Sequence, residues 1–90
     1  MIIEHFRAGF IKELYNRFDK KGRMLPSGVH YLNSWIDEKI EVCYQLMESE
    51  SLGKLEEWIS HWDDLADFEI IPIIDSQTAK MRILKNDLSN

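Results

Sequence analysis

Ninety residues make room for one domain with a thin core, because a chain this short buries only about 60–65% of the surface its unfolded form exposes. The net charge is −5, and acids flank the cluster Lys12, Arg17, Lys20, Lys21 and Arg23, so no one-sided basic field exists for nucleic acid. Cys43 is the single cysteine, which excludes an internal disulfide and fits a reducing compartment. No run reaches the roughly 18 apolar residues of a spanning helix, and Met1 leads into Ile2-Ile3 without a basic n-region or cleavage site. The expectation is a cytoplasmic protein with no membrane partner.

The hydrophobic periods follow one another in the order β-α-β-β-α-β. Met1 to Phe6 reads as a strand, with Glu4 and His5 inside an apolar run. Gly9 is a helix start, after which Phe10, Ile11, Leu14, Tyr15 and Phe18 fall at helical spacing. Lys20-Lys21 followed by Gly22 is a helix C-terminus: cations at the negative end, then a residue free to turn left-handed. Residues 23–28 form a turn. From Val29 to Asp37 the alternation predicts a strand with Val29, Tyr31, Asn33 and Trp35 on one face and His30, Leu32, Ser34 and Ile36 on the other. Residues 38–41 make a hairpin loop. Val42 to Glu48 returns, with Val42, Tyr44 and Leu46 opposed to Cys43, Gln45 and Met47.

Ser49 or Ser51 caps the second helix, whose apolar stripe is Leu52, Leu55, Ile59 and Trp62, with Trp58 beside it. Asp63-Asp64 end it; acids sit badly at a helix C-terminus, which calls for His61 or a basic side chain nearby. Asp67 to Ile74 is the last strand. Pro72 within it cannot donate to a ladder, so this strand belongs at a sheet edge. Asp75 or Ser76 caps a C-terminal helix over about 76–86.

The pattern predicts an α+β domain over 1–90: a ferredoxin-like βαββαβ core (1–74) with antiparallel sheet order 4-1-3-2, plus the short C-terminal helix. Both helices cover one sheet face and leave the other open. Three Trp, three Tyr and four Phe are many rings for so small a core. The exposed strand positions mix apolar and polar types, and an open face of that kind is closed most simply by a second copy, sheet on sheet. The C-terminal helix is the element expected to reach across.

Several strings of this chain resemble one family: Ile3-Glu4-His5-Phe6, the Gly-Arg-Met-Leu-Pro-Ser-Gly of 22–28, Ser34-Trp35, the Cys-Tyr-Gln-Leu-Met-Glu of 43–48, the Trp-Ile-Ser-His-Trp-Asp-Asp-Leu of 58–65 and the Phe-Glu-Ile-Ile-Pro of 68–72. They are similar to a small group of uncharacterised prokaryotic proteins within the dimeric α/β-barrel superfamily, over about residues 1–74. The resemblance implies the fold and a homodimer; it implies no activity. The wider superfamily includes antibiotic-biosynthesis monooxygenases, muconolactone isomerases, chlorite dismutases and haem-degrading enzymes. Haem degraders use an Asn on the first strand with a Trp and a His near the second helix. This chain offers Trp58, Trp62 and His61 but carries Glu4-His5 in place of the Asn, so haem chemistry is not carried over.

The candidate catalytic residues are His5 and Glu69, a histidine–carboxylate pair suited to general-base work if both face one cavity. A structural, hydrogen-bonded His5 is the plainer alternative. Candidate ligand-binding residues are Trp35, Gln45, Cys43 and Arg23. Trp35 is an aromatic wall or a dimer anchor. Gln45 is an amide in a central strand and needs partners. Cys43 has no adjacent cation and reads as a small packed hydrophobe. Arg23 in the turn closes over an anion or stays solvated. Trp58 and Trp62 read as core. His5, His30 and His61 lack ligand spacing, so no metal and no cofactor is expected. A register slip of one residue would exchange Glu4 for His5 and Gln45 for Tyr44 in the cavity. The function that emerges is a dimeric small-molecule binder, or a cofactor-independent enzyme; the rival is a non-catalytic dimerisation module with a solidly packed interface.

Overall fold

The computed structural model describes residues 1–89, with side chains as far as Lys85; Asn90, the end of the expected domain, lies outside the described residues. Seven elements follow in order: β1 Ile2–Phe6, α1 Ile11–Lys21, β2 Val29–Ile36, β3 Val42–Ser49, α2 Leu52–Ile59, β4 Ala66–Ile70 and α3 Ser76–Ser89. The sheet order β2-β3-β1-β4, read from the other edge, is the expected 4-1-3-2 of a ferredoxin-like sheet, and all three ladders are antiparallel. No helix among the described residues is long and apolar enough to cross a membrane.

Period-two alternation sorts the β1 side chains. Ile2, Glu4 and Phe6 point to the helices, while Ile3 and His5 point to the open side. Opposite them on β3, Gln45 and Cys43 share the helix side with Ile2 and Glu4. Gly9, at φ +85°, turns the chain, and α1 begins only at Ile11, with no side-chain cap at Phe10. Gly22 ends α1 as expected, its N–H donating to the Phe18 carbonyl at 2.7 Å.

The expected faces of β2 need correction. Tyr31 pairs with Met47 and Asn33 with Leu46, so Leu32 is an extra residue in a β-bulge. The bulge resets the alternation. Val29 and Tyr31 before it share the helix side with Ser34 and Ile36 after it, and Asn33 and Trp35 turn to the open side. A hydrogen bond of 2.6 Å between Tyr31 Oη and Ser34 Oγ spans the irregularity. In the hairpin, the Asp37 carboxylate accepts the N–H groups of Lys39, Glu41 and Val42, which hold its pKa below the usual range.

Ser51 caps α2 by accepting from the Lys54 N–H. The inward face of this segment centres on Trp58 and Trp62, both buried, with Leu55 and Ile59 packed half-buried beside them; of the expected stripe only Leu52 is exposed. Helical turns continue past Ile59 through the bonds Trp62 N–H to Ile59 O and Leu65 N–H to Trp62 O, which keep Trp62 on the same side as Trp58. Arg17 supplies the basic partner that Asp64 requires, with two contacts of 2.8 Å and a third bond to the His61 carbonyl, lashing α1 to the end of α2. β4 pairs only with β1 and so is an edge, but it ends at Ile70. Pro72 lies outside it, beyond the Ile71–Met1 backbone pair that closes the ladder. The core gathers Ile2, Leu14, Trp58, Trp62, Leu65 and Ala66 between sheet and helices, and Phe68 meets Trp58 edge-on at 5.8 Å.

Candidate functional site

The core is not filled. A cavity of about 150 Å³ lies between the sheet and α1, with Glu4, Cys43 and Gln45 as its floor. Phe6, Leu14, Tyr15, Phe18, Trp58 and Trp62 wall it, and Arg23, Ser34 and Ile36 complete its rim.

Glu4 is 5% exposed and Gln45 6%. They pair across the β1–β3 ladder, Gln45 Nε2 donating to Glu4 Oε1 at 2.8 Å. This bond satisfies one carboxylate oxygen and fixes which side of the Gln45 amide faces β1. Burial pushes the Glu4 pKa up to about 7, against the smaller opposing effects of the Gln45 bond and the Arg23 charge. Cys43 beside it is driven up to about 12 by burial and by the Glu4 charge, so its thiol stays protonated and is no nucleophile. Tyr15 is raised as well, first by burial and then by Cys43 and Glu4. Near neutral pH the cavity therefore holds one group poised to give or take a proton, and it is Glu4.

Arg23 is held by its backbone. Its carbonyl accepts two indole N–H groups, from Trp58 at 2.9 Å and Trp62 at 3.0 Å. On either side, Gly22 and Met24 have φ of +66° and +58°. The left-handed conformation costs a non-glycine residue about 1–2 kcal/mol, and here the two indoles hold it in place. The side chain turns back over the aromatic rim, with its guanidinium carbon 3.5 Å from the Tyr31 ring centre and 5.0 Å from that of Phe18. Among the described residues Arg23 joins no ion pair, and its Nε is buried without a hydrogen-bond partner.

The site residues named from sequence fall on two faces. Arg23, Cys43 and Gln45 meet in the cavity. His5 and Glu69 lie on the open side, where His5 Nε2–H donates to Glu69 Oε2 at 2.8 Å with both side chains about half exposed. Trp35 is on that outer face too, 51% exposed and paired with Tyr44. No enclosed space is bordered by His5, Trp35 and Gln45 together, because neighbouring registers of a strand face opposite ways. Glu4 is the residue that sequence reasoning passed over. Its signal is a carboxylate at a helix-side parity shared with Ile2 and Phe6, opposite Cys43 and diagonal to the Gln45 amide.

A family model described as a domain of unknown function, DUF3303, matches residues 1–86. The chain belongs to that family. No curated protein and no solved structure matches it. In this DUF3303 chain, no group of three or more His, Cys, Asp or Glu side chains converges among the described residues to hold a metal ion. What the cavity offers is a protonatable carboxyl, an amide that orients it, an unpaired guanidinium and aromatic walls.

Proposed function

We propose that this protein binds a small organic molecule in the cavity between sheet and helices and that Glu4 exchanges a proton with it. The observation that carries this is the buried Glu4–Gln45 pair at the cavity floor, with Glu4 lifted to about 7. A general acid or base works best when its pKa lies near the working pH, and Gln45 restrains the carboxyl so that its second oxygen is free for a ligand. Concave, mostly apolar walls with a few polar groups are the usual form of a small-molecule site. A cavity near 150 Å³ accommodates a benzene-sized molecule. The test is a carbon-13 titration of the Glu4 carboxyl with and without phenol, a probe of that size with one exchangeable proton. A midpoint near neutrality that moves when phenol is added supports the reading. A midpoint at ordinary glutamate values, or indifference to phenol, overturns it.

A second reading concerns assembly. The open sheet face presents Trp35 and Tyr44, both exposed, with the half-buried Leu46 around the His5–Glu69 pair, large apolar side chains that its own helices do not cover. We propose a homodimer closed sheet to sheet, in the manner of a dimeric α/β barrel. A sedimentation mass of twice the chain supports this; the mass of a single chain at micromolar concentration rejects it.

A further inference from the structure

We infer that the cavity selects a small planar carboxylate, whose anionic group is taken by the guanidinium of Arg23 while its apolar body lies against the aromatic walls. The inference rests on the binding reading above and adds to it the charge and shape of the ligand. Its first support is the orphaned Nε of Arg23. A buried donor without an acceptor is costly, and native proteins rarely leave one. Its second support is the lack of any ion pair for Arg23 among the described residues, although the chain has sixteen acids for eleven basic side chains. Arg7 and Arg17, by contrast, are each engaged by an aspartate.

The backbone explains why this arginine stays where it is. The two indole bonds grip its carbonyl and not its side chain, so the guanidinium is directed over Tyr31 and Phe18 with its fork unspent. Stacked on rings, and with its Nε out of water, a guanidinium binds a carboxylate in two parallel hydrogen bonds far better than an ammonium would. The remaining dimensions narrow the ligand. About 150 Å³ admits a ring or short chain with one acidic group, and the walls of Phe6, Tyr15, Phe18 and Trp62 favour a flat one. A doubly charged phosphate fits less well, because the same space holds Glu4.

Benzoate and benzamide, equal in shape and different in charge, are the probes. Calorimetric titration of the full chain should give benzoate at least tenfold tighter than benzamide. Arg23→Met should weaken benzoate by about tenfold to a hundredfold, the range expected on losing hydrogen bonds to a charged group, and leave benzamide unchanged. The indole clamp uses the main chain, so the variant keeps it; Arg23→Lys, which retains the charge without the fork, should fall between. Benzamide binding as tightly as benzoate, or benzoate indifferent to both substitutions, overturns the carboxylate inference and leaves the binding reading standing. Failure of benzoate, benzamide and phenol alike overturns both.

Discussion

A glutamate set between Ile3 and His5, and facing the helices beside Ile2, is an expensive choice for a thin core. Its cost has a definite dependence on pH. In the unfolded chain the carboxyl of Glu4 titrates near 4.5, and in the folded protein near 7. Below about pH 4.5 both forms hold the proton and Glu4 is neutral in the balance. As pH rises from 4.5 to 7 the unfolded chain loses its proton first, so the fold is progressively disfavoured, by about 3 kcal/mol once both forms are ionised. Glu4→Gln removes that term. The variant should be more stable than the parent by about 2–3 kcal/mol at pH 8 and nearly equal to it at pH 4.5, as read by urea unfolding at the two pH values. A difference that is the same at both would mean that Glu4 titrates normally in the fold. A residue held at that cost fits a functional carboxyl, whereas the exposed Asp64 and Asp67, held low by Arg17 and Arg7, favour the fold at neutral pH and lose that contribution only as the solution turns acid. Glu4 was visible in the sequence as one of two parities. The strand's alternation gave two sets of side chains but not which set met the helices, and His5 with Glu69 was the more familiar chemical pair.

Among the elements, β2 separates what a sequence carries from what it conceals. Strands β1 and β3, the two-residue hairpin alternation and the Gly22 stop are local patterns, and each was readable from a few residues. The bulge at Leu32 leaves the alternation intact on both sides and alters only their relation, which is fixed by pairing with β3, far off in sequence. Alternation alone therefore puts Tyr31 on the face of Trp35. Likewise the apolar run continues through Pro72 to Ile74, whereas strand pairing stops at Ile71, whose backbone bonds that of Met1 just before β1. The bulge makes a sharp expectation. The Leu32 side chain is exposed, so Leu32→Ala should change stability by no more than about 0.5 kcal/mol. Deleting Leu32 is a different perturbation: it forces either Val29 and Tyr31 out of the core or Asn33 and Trp35 into the cavity. Thermal unfolding should find the deletion unfolded or severely destabilised. A deletion as mild as the alanine variant would show that the bulge does not set the face of β2.

In the whole molecule, the uncovered apolar surface lies on the side of the sheet away from the helices and along the C-terminal segment. α3 extends the chain to 53 Å in its longest dimension, and Met81, Ile83 and Leu84 on it are exposed, as are Ile71, Ile73 and Ile74 before it. Under the proposed sheet-to-sheet dimer, Trp35 would lie near the centre of the contact. Trp35→Asp would then bury a carboxylate with no partner and should dissociate the dimer. Because Trp35 is on the outer face of one chain, the monomer should keep its far-ultraviolet circular dichroism. A variant that sediments as a dimer would exclude that face from the interface. The order of the elements made the sheet topology legible at once, since βαββαβ has few arrangements; the cavity was not, because it depends on which side chains fail to meet.

The placement of the three tryptophans gives the protein a spectroscopic division of labour. Trp58 and Trp62 share the Arg23 carbonyl at the cavity wall, while Trp35 stands alone on the outer face. Buried indoles emit at shorter wavelengths than hydrated ones, so events inside the molecule and events on its surface fall in different parts of one emission band. Filling the cavity would alter the blue component through the very bonds that anchor Arg23. Covering the sheet would shift the red component alone, and a single unlabelled sample could follow both.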